Sequence, residues 1–220
     1  LKTVLCEKNV FGGQISITDV VENFAGFPNG ITGPEIAALM EEQAQKSGAL
    51  LLYENVTSIE KNKSQFVLIT DESTFSARCV ILAMGAQARS LGLDSEKKFI
   101  GKGVSYCAVC DAPFFRNKTV AVIGGGDSAI QEALYLTKFA HKVFVVHRRA
   151  ELRASQVLQS RAKNNEKIEF LLDSVVHEIQ GENLVDSIML KNVKTGELEK
   201  VPVNGVFIFI GHEPASTLVA

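Results

Sequence analysis

The stretch Lys118-Thr119-Val120-Ala121-Val122-Ile123-Gly124-Gly125-Gly126-Asp127-Ser128-Ala129 decides the fold. Its first half is an apolar run without alternation, the pattern of a strand buried on both faces. A triple glycine follows, and then Ile130, Ala133, Leu134 and Thr137 recur at helical spacing. Lys142 to His147 is the next apolar strand. Strand, helix and strand in that order make a βαβ unit, which requires a parallel sheet. In such a unit a glycine turn has a defined use. Gly124 permits the tight turn, and Gly125 lets backbone N–H groups approach a pyrophosphate. Ala129 keeps the helix close to the sheet, and the helix N-terminus contributes partial positive charge. Gly124, Gly125, Gly126, Asp127, Ser128 and Ala129 are therefore candidate dinucleotide-binding residues. The competing explanation is a glycine-rich turn in a plain α/β domain.

The next strand ends in His147-Arg148-Arg149, with Arg153 four residues further on. In this fold that strand end, about 20 residues beyond the glycines, lies beside the adenosine ribose. A carboxylate there would bind the free hydroxyls of NAD, but three guanidinium groups stand there instead, and their forked donors match a phosphate. The site is predicted to take NADPH, with a merely solvated charge cluster as the alternative.

Just before the Lys118 strand lies Cys107-Ala108-Val109-Cys110-Asp111. In a reducing compartment a C-x-x-C is either a redox pair or half of a zinc site. A zinc site needs two further ligands. Cys6 and Cys79 are expected in buried strands as small core residues, and His141, His177 and His212 have no spaced partner. A redox pair, with Asp111 able to accept or return a proton, is the favoured reading.

Toward the N-terminus, Thr3 to Cys6 is a β-prone run ending in Glu7, where a ribose-binding carboxylate would stand. Phe11-Gly12-Gly13-Gln14 is a glycine turn, and 24–30 is a loop. A helix is predicted from Thr32-Gly33-Pro34-Glu35, with Ile36, Leu39, Met40 and Ala44 on its apolar face and Gly48 closing it. Strands are predicted at 50–53, 56–60, 65–70 and 74–78, and Cys79 to Ala83 reads as another doubly buried strand leading into Met84-Gly85-Ala86. Beyond the βαβ unit, strands are expected at 168–172, 175–179, 187–191, 199–203 and 206–210, two of them forming a hairpin around 194–197. The result is two α/β units, the first incomplete. The chain opens without Met on an apparent interior strand and stops after a strand and turn, so both ends read as cuts through a larger fold.

Of 220 residues, 46% are hydrophobic and 22% charged, which excludes disordered, collagen-like and coiled-coil classes. A net charge of −2 argues against a nucleic-acid partner. The longest uncharged run, 201–212, is too short to span a bilayer. Four cysteines are too sparse for a disulfide-stapled secreted scaffold, so a cytoplasmic protein without a membrane partner is expected.

Taken in order, Gly12-Gly13-Gln14, Val21 to Pro28, Ala83 to Ala86, the C-x-x-C-D, the Gly124 turn, His147-Arg148-Arg149 with Arg153-Ala154, and Gly205-Val206-Phe207 with Ile210-Gly211 match a family. The chain resembles bacterial-type, low-molecular-weight thioredoxin reductase over nearly its whole length. The resemblance implies a homodimeric flavoenzyme of two Rossmann-like domains, with the NADPH domain inserted into the FAD domain. Residues 1–86 would be a partial FAD domain, 87–214 the NADPH domain, and 215–220 the start of the return. It implies cofactor contacts from Glu7, Gly12, Gly13, Gln14, Asn23, Gly85 and Ala86 in the FAD domain and from Ile210 and Gly211 in the NADPH domain. It further implies electron flow from NADPH to FAD to a Cys107–Cys110 disulfide to thioredoxin. Cys110 would lie nearer the flavin, Asp111 would handle the proton, and Cys107 would attack the protein substrate. Met84 departs from the Thr usual beside the flavin. The flavoprotein reductase of the alkyl hydroperoxide system shares the layout but takes NADH, and the arginines argue against it. A thioredoxin-reductase-like ferredoxin reductase would lack the cysteine pair, and a redox-inert nucleotide-binding fragment would lack bound flavin.

Overall fold

The computed structural model describes residues 1–219, which separate into two compact units. One comprises Leu1–Gln87 with the segment from Pro214 onward; the other is the continuous stretch Ala88–Glu213. The chain thus crosses between them at 87/88 and 213/214.

In the first unit, β1 (Val4–Cys6) pairs in parallel with β4 (Leu50–Leu52), and between them come α1 (Gly13–Ser16), β2 (Val20–Val21), β3 (Ile31–Thr32) and α2 (Gly33–Lys46). The start of α2 follows its sequence signals. The Thr32 hydroxyl accepts from the Glu35 N–H, the Glu35 carboxylate accepts from the Thr32 N–H, and a proline occupies the first turn. Its apolar stripe is less buried than its periodicity predicts. Ile36 and Ala37 pack inward, but Leu39 and Met40 are exposed, because α2 is covered mainly through its first turns, against α1. The antiparallel β5 (Val56–Lys61), β6 (Phe66–Thr70) and β7 (Thr74–Ala77) form a meander. A 3₁₀ turn over Thr217–Val219 packs on β5.

One expectation fails here. Residues 79–83 form no strand: Ile81 is 92% exposed, Leu82 is exposed, and Cys79 is exposed rather than buried. A doubly buried strand needs ladder partners at its edges, and the only parallel pair of this unit among the described residues is β1–β4. Cys6 is half-buried, and burial is the main reason that its thiol sits above its ordinary pKa.

The second unit, entered through β8 (Ala86–Ala88), begins with α3 (Asp94–Phe99), β9 (Val104–Ser105) and α4 (Ala108–Asp111). Then come β10 (Thr119–Ile123), α5 (Asp127–Leu136), β11 (Lys142–Val146), α6 (Gln156–Lys163) and β12 (Ile168–Leu171). The meander β13 (Ser174–Gly181), β14 (Val185–Asn192) and β15 (Leu198–Pro202) is antiparallel, and β16 (Gly205–Ile208) returns the chain to the main sheet before β17 (His212–Pro214). That sheet is wholly parallel in the order β12-β11-β10-β16-β9. Its direction of build reverses between β10 and β16, which is where open α/β sheets place their ligands.

Both faces of β10 are covered, as its unbroken apolar run requires. Val120 and Val122 pack with α4 and α5, while Ala121 and Ile123 pack with α3 and the meander. On the second side the Glu96 carboxylate is only 1% exposed. It accepts from the N–H groups of Leu91, Gly92 and Leu93 and from the Tyr106 hydroxyl at 2.6 Å, which satisfies a buried charge. Burial first, and that carboxylate second, push the Tyr106 phenol above its ordinary pKa.

Candidate functional site

Strand β9 delivers the cysteine pair. The Ser105 hydroxyl accepts from the Cys107 N–H at 3.0 Å and donates to the Cys107 carbonyl at 3.1 Å, fixing the backbone just before the helix. Cys107 is the N-cap of α4, and its sulfur accepts from the Cys110 N–H at 3.2 Å. Positions three apart share a helix face, so the two sulfurs meet, and they form a disulfide across a Cα separation of 5.4 Å. Cys107 is half-buried, Cys110 is exposed, and Asp111 is half-buried one residue on. Since both sulfurs are spent on each other, neither is a zinc ligand in this state, and no group of metal-ligating side chains occurs among the described residues. Below the pair, Ala108 and Ala112 are fully buried in one cluster with Ala129, Ile130 and Ala133 of α5. The redox turn and the helix that follows the triple glycine therefore share a core.

The three glycines do three different things. A Cβ on Gly124 would strike the Phe209 carbonyl and the Ala129 side chain, so this glycine permits the sheet–helix approach; its φ of 144° also favours glycine. A Cβ on Gly125 would lie 2.5 Å from His147 Nδ1, so this glycine makes room for an imidazole. Gly126 faces open space, with no atom within 4 Å of a Cβ built there. Directly after it, the first-turn N–H groups of α5, at Asp127, Ser128 and Ala129, have no intrahelical acceptor. An open glycine before a helix N-terminus fits the pyrophosphate of a dinucleotide.

The segment after β11 folds back over this turn. Gly125 O accepts from the N–H groups of Arg153 (2.7 Å) and Ala154 (3.0 Å), and Asp127 Oδ1 accepts from the Ser155 N–H at 2.7 Å. Arg148, Arg149 and Arg153 are exposed, and among the described residues none of them takes part in an ion pair. Three uncompensated guanidinium groups on a loop hydrogen-bonded to the glycine turn suit a phosphate at the ribose end of the same ligand. His147 differs from its neighbours in being buried. Burial, then Arg149, Arg148 and Arg153, hold its imidazole below the ordinary pKa, against the Glu151 carbonyl, which pulls the other way.

In the first unit, Glu7 follows β1 directly and accepts from the Asn9 N–H at 2.8 Å. Gly12, at φ 100°, is used for packing: a Cβ there would lie 2.5 Å from that of Ala37. Gly13 and Gly85 face open space, both at positive φ, and so can admit a bulky cofactor to the backbone. Gln14 Nε2 donates to the Ala86 carbonyl at 3.4 Å, and Asn23 is exposed. In the second unit, Ile210 is exposed and Gly211 O accepts from the Arg89 N–H at 3.0 Å.

Sequence reasoning missed three supporting residues. Ser105 carries a faint signal, a small hydroxyl two places before the first cysteine. Glu96 carries none, because nothing local predicts a buried carboxylate. Asp173, at φ 51°, donates its N–H to the Arg149 carbonyl at 3.3 Å and accepts from Lys194 Nζ at 2.6 Å, bracing the arginine loop from behind.

The profile of the pyridine nucleotide-disulphide oxidoreductases matches residues 1–220. A thioredoxin reductase from Mycolicibacterium smegmatis is 46% identical over 219 residues, covering 100% of this chain and 70% of that protein. A bifunctional thioredoxin reductase/thioredoxin from Mycobacterium leprae is 47% identical over 221 residues, but the chain spans only 48% of its length. The crystal structure of Lactococcus lactis thioredoxin reductase superposes with a TM-score of 0.98 at 43% identity, covering 100% of this chain and 73% of that one.

Proposed function

Because the chain belongs to the pyridine nucleotide-disulphide oxidoreductases, on their thioredoxin reductase branch, we propose that it serves an NADPH-dependent thioredoxin-disulfide reductase. Residues 1–86 and the segment from 215 would belong to its FAD-binding domain and 87–214 to its NADPH-binding domain. One observation supports this above others: a C-x-x-C disulfide and an open glycine turn are built into one compact unit through the shared core of α4 and α5.

When bound, NADPH supplies a hydride and FAD relays its two electrons to sulfur. Gly126 and the first turn of α5 would hold the pyrophosphate of NADPH, with Arg148, Arg149 and Arg153 holding the 2′-phosphate. Glu7 would bind the ribose of FAD, with Gly13 and Gly85 admitting the cofactor to the backbone. Two electrons and two protons open the Cys107–Cys110 bond, and Asp111 holds one of those protons. The Cys107 thiolate, steadied by the N–H of Cys110, attacks one sulfur of the thioredoxin disulfide and displaces the other. Cys110 then attacks Cys107 Sγ, releasing reduced thioredoxin and restoring the internal disulfide. The pair cannot face its electron donor and a protein substrate at once, so reduction of the pair and its exchange with thioredoxin are separate steps. A homodimer in the cytoplasm completes the proposal, resting on the family resemblance and the sparse cysteines.

The test is thiol trapping. Under anaerobic conditions NADPH should make the peptide containing Cys107 and Cys110 gain two alkyl groups with iodoacetamide, and oxidised thioredoxin should reverse the gain. NADPH oxidation by thioredoxin while this peptide stays disulfide-bonded would sink the assignment.

A further inference from the structure

His147 opens the arginine cluster, yet its side chain is 93% removed from solvent while Arg148 and Arg149 point into it. The Nδ1, Cγ and Cε1 edge of its ring occupies the space a Gly125 side chain would need, at 2.5, 2.6 and 2.7 Å from a Cβ there. The imidazole hydrogen-bonds to the Glu151 carbonyl, and Nε2 is buried with no partner, so the hydrogen belongs on Nδ1. The backbone is pinned on both sides, its N–H to the Leu171 carbonyl and its carbonyl to the Ser174 N–H, each at 3.0 Å. Gly125 O in turn accepts from Arg153 and Ala154. Gly125, His147, Glu151 and Arg153 therefore close a ring of contacts joining the phosphate turn to the arginine loop.

Resting on the NADPH reading, we propose that His147 is a positioning residue, its ring acting as the spacer that sets the phosphate turn and the arginine loop at the separation one dinucleotide requires. A proton on Nε2 would create a buried donor without an acceptor and a fourth cation beside three unpaired ones. Among the described residues no carboxylate forms an ion pair with the ring. Of the charged groups on the elements packed around the ring, Asp127 on α5 is engaged with Ser155, Asp173 after β12 is engaged with Lys194, and Glu151 presents its carbonyl. Burial and the arginines already hold the imidazole pKa low, in keeping with a ring that works uncharged.

This role differs from that of the arginines. Removing Arg148 and Arg149 should weaken NADPH alone, whereas the Gly125 turn serves both nicotinamide nucleotides. In the full-length holoenzyme, His147→Ala should weaken NADP⁺ and NAD⁺ alike by about 10- to 100-fold in calorimetric titration, the scale of a site displaced by about an ångström. His147→Asn can still donate to the Glu151 carbonyl but does not titrate. It should recover binding to within about threefold of wild type at pH 7.5, since one hydrogen bond of ordinary strength separates the two variants. The pH arm uses NAD⁺, which has no 2′-phosphate to titrate. Wild type should lose affinity from pH 7.5 to 5.5, and His147→Asn should stay flat. Both nucleotides binding His147→Ala within twofold of wild type would overturn the spacer role while leaving the NADPH assignment standing. A wild-type-like decline in His147→Asn would do the same, and it remains decisive even if His147→Ala does not fold. A wild-type enzyme that binds neither nucleotide would overturn both.

Discussion

Gly125→Ala and Gly126→Ala, one residue apart, should fail in opposite ways. At Gly125 the new methyl would sit 2.5 to 2.7 Å from three ring atoms of His147, below any real carbon contact. The ring has no room to retreat, being buried and held by its backbone hydrogen bonds to Leu171 and Ser174. Overpacking of this kind costs about 1–3 kcal/mol. For a unit of this size that lowers the melting temperature by roughly 2–12 °C. At Gly126 nothing lies within 4 Å, and its φ of −91° suits any residue. Losing glycine flexibility in the unfolded chain stabilises by about 0.4–1 kcal/mol, and alanine is a worse N-cap than glycine by a similar amount, so stability should hold to within about 0.5 kcal/mol. That methyl would instead stand where a phosphate must approach the backbone. Losing one charge-assisted hydrogen bond, about 1.5–3 kcal/mol, weakens NADP⁺ by about 10- to 150-fold. Thermal unfolding and calorimetric titration of both variants provide the check. A stable Gly125→Ala, or a Gly126→Ala that binds NADP⁺ like wild type, would refute the division of labour among these glycines.

Replacing Arg148 and Arg149 together by Ala should raise the NADPH Michaelis constant by about one to three orders of magnitude and spare NADH; a kcat/KM ratio for the two nucleotides within about twofold of wild type would reduce the arginines to a solvated face. Cys107→Ser and Cys110→Ser should each abolish thioredoxin reduction in the full-length enzyme while stopped-flow absorbance still shows flavin reduction by NADPH, and near-normal turnover in either would place the redox pair elsewhere. Glu96→Ala takes the acceptor from three N–H groups and a tyrosine hydroxyl that are only partly open to water, so urea denaturation should show a loss of about 1–3 kcal/mol, with Glu96→Gln losing less. The lowered folded pKa of His147 means that the folded state binds fewer protons than the unfolded one below its unfolded value of about 6.5. Its contribution to stability is complete above that pH and is lost as pH falls through the folded value. The urea midpoint of His147→Asn should accordingly fall less than that of wild type between pH 7 and 5.

Legibility followed how local the cause of each feature was. The turn at 124–129 was readable because a buried run, three glycines and a helical period lie next to one another in the chain. The start of α2 was readable because its cap, Thr32 with Glu35, is a four-residue pattern. Helices α3, α4 and α6 were missed because they are short, α3 and α6 being polar as well, and are stabilised by docking rather than by periodicity. Residues 79–83 misled because apolarity reports what a segment can bury, whereas a strand also needs a neighbour with free N–H and C=O groups. The cysteine pair and the arginines were visible as residue types. The buried orientation of His147, the Ser105 clamp and the strained Asp173 brace were not, since each depends on chain segments that only folding brings together.

The double crossing at 87/88 and 213/214 has a consequence for birth on the ribosome. The second unit is continuous and can fold as soon as its 126 residues have emerged. The first cannot close until later, because the Thr217–Val219 turn that packs on β5, and the Ala215 N–H that reaches the Gly85 carbonyl, are made only after the whole second unit. At about 5–20 residues per second, roughly 6–25 seconds separate its two halves. Through that interval the part of β5 that the late turn covers stays open to other nascent chains, so the half made first is also the half most in need of a chaperone's protection.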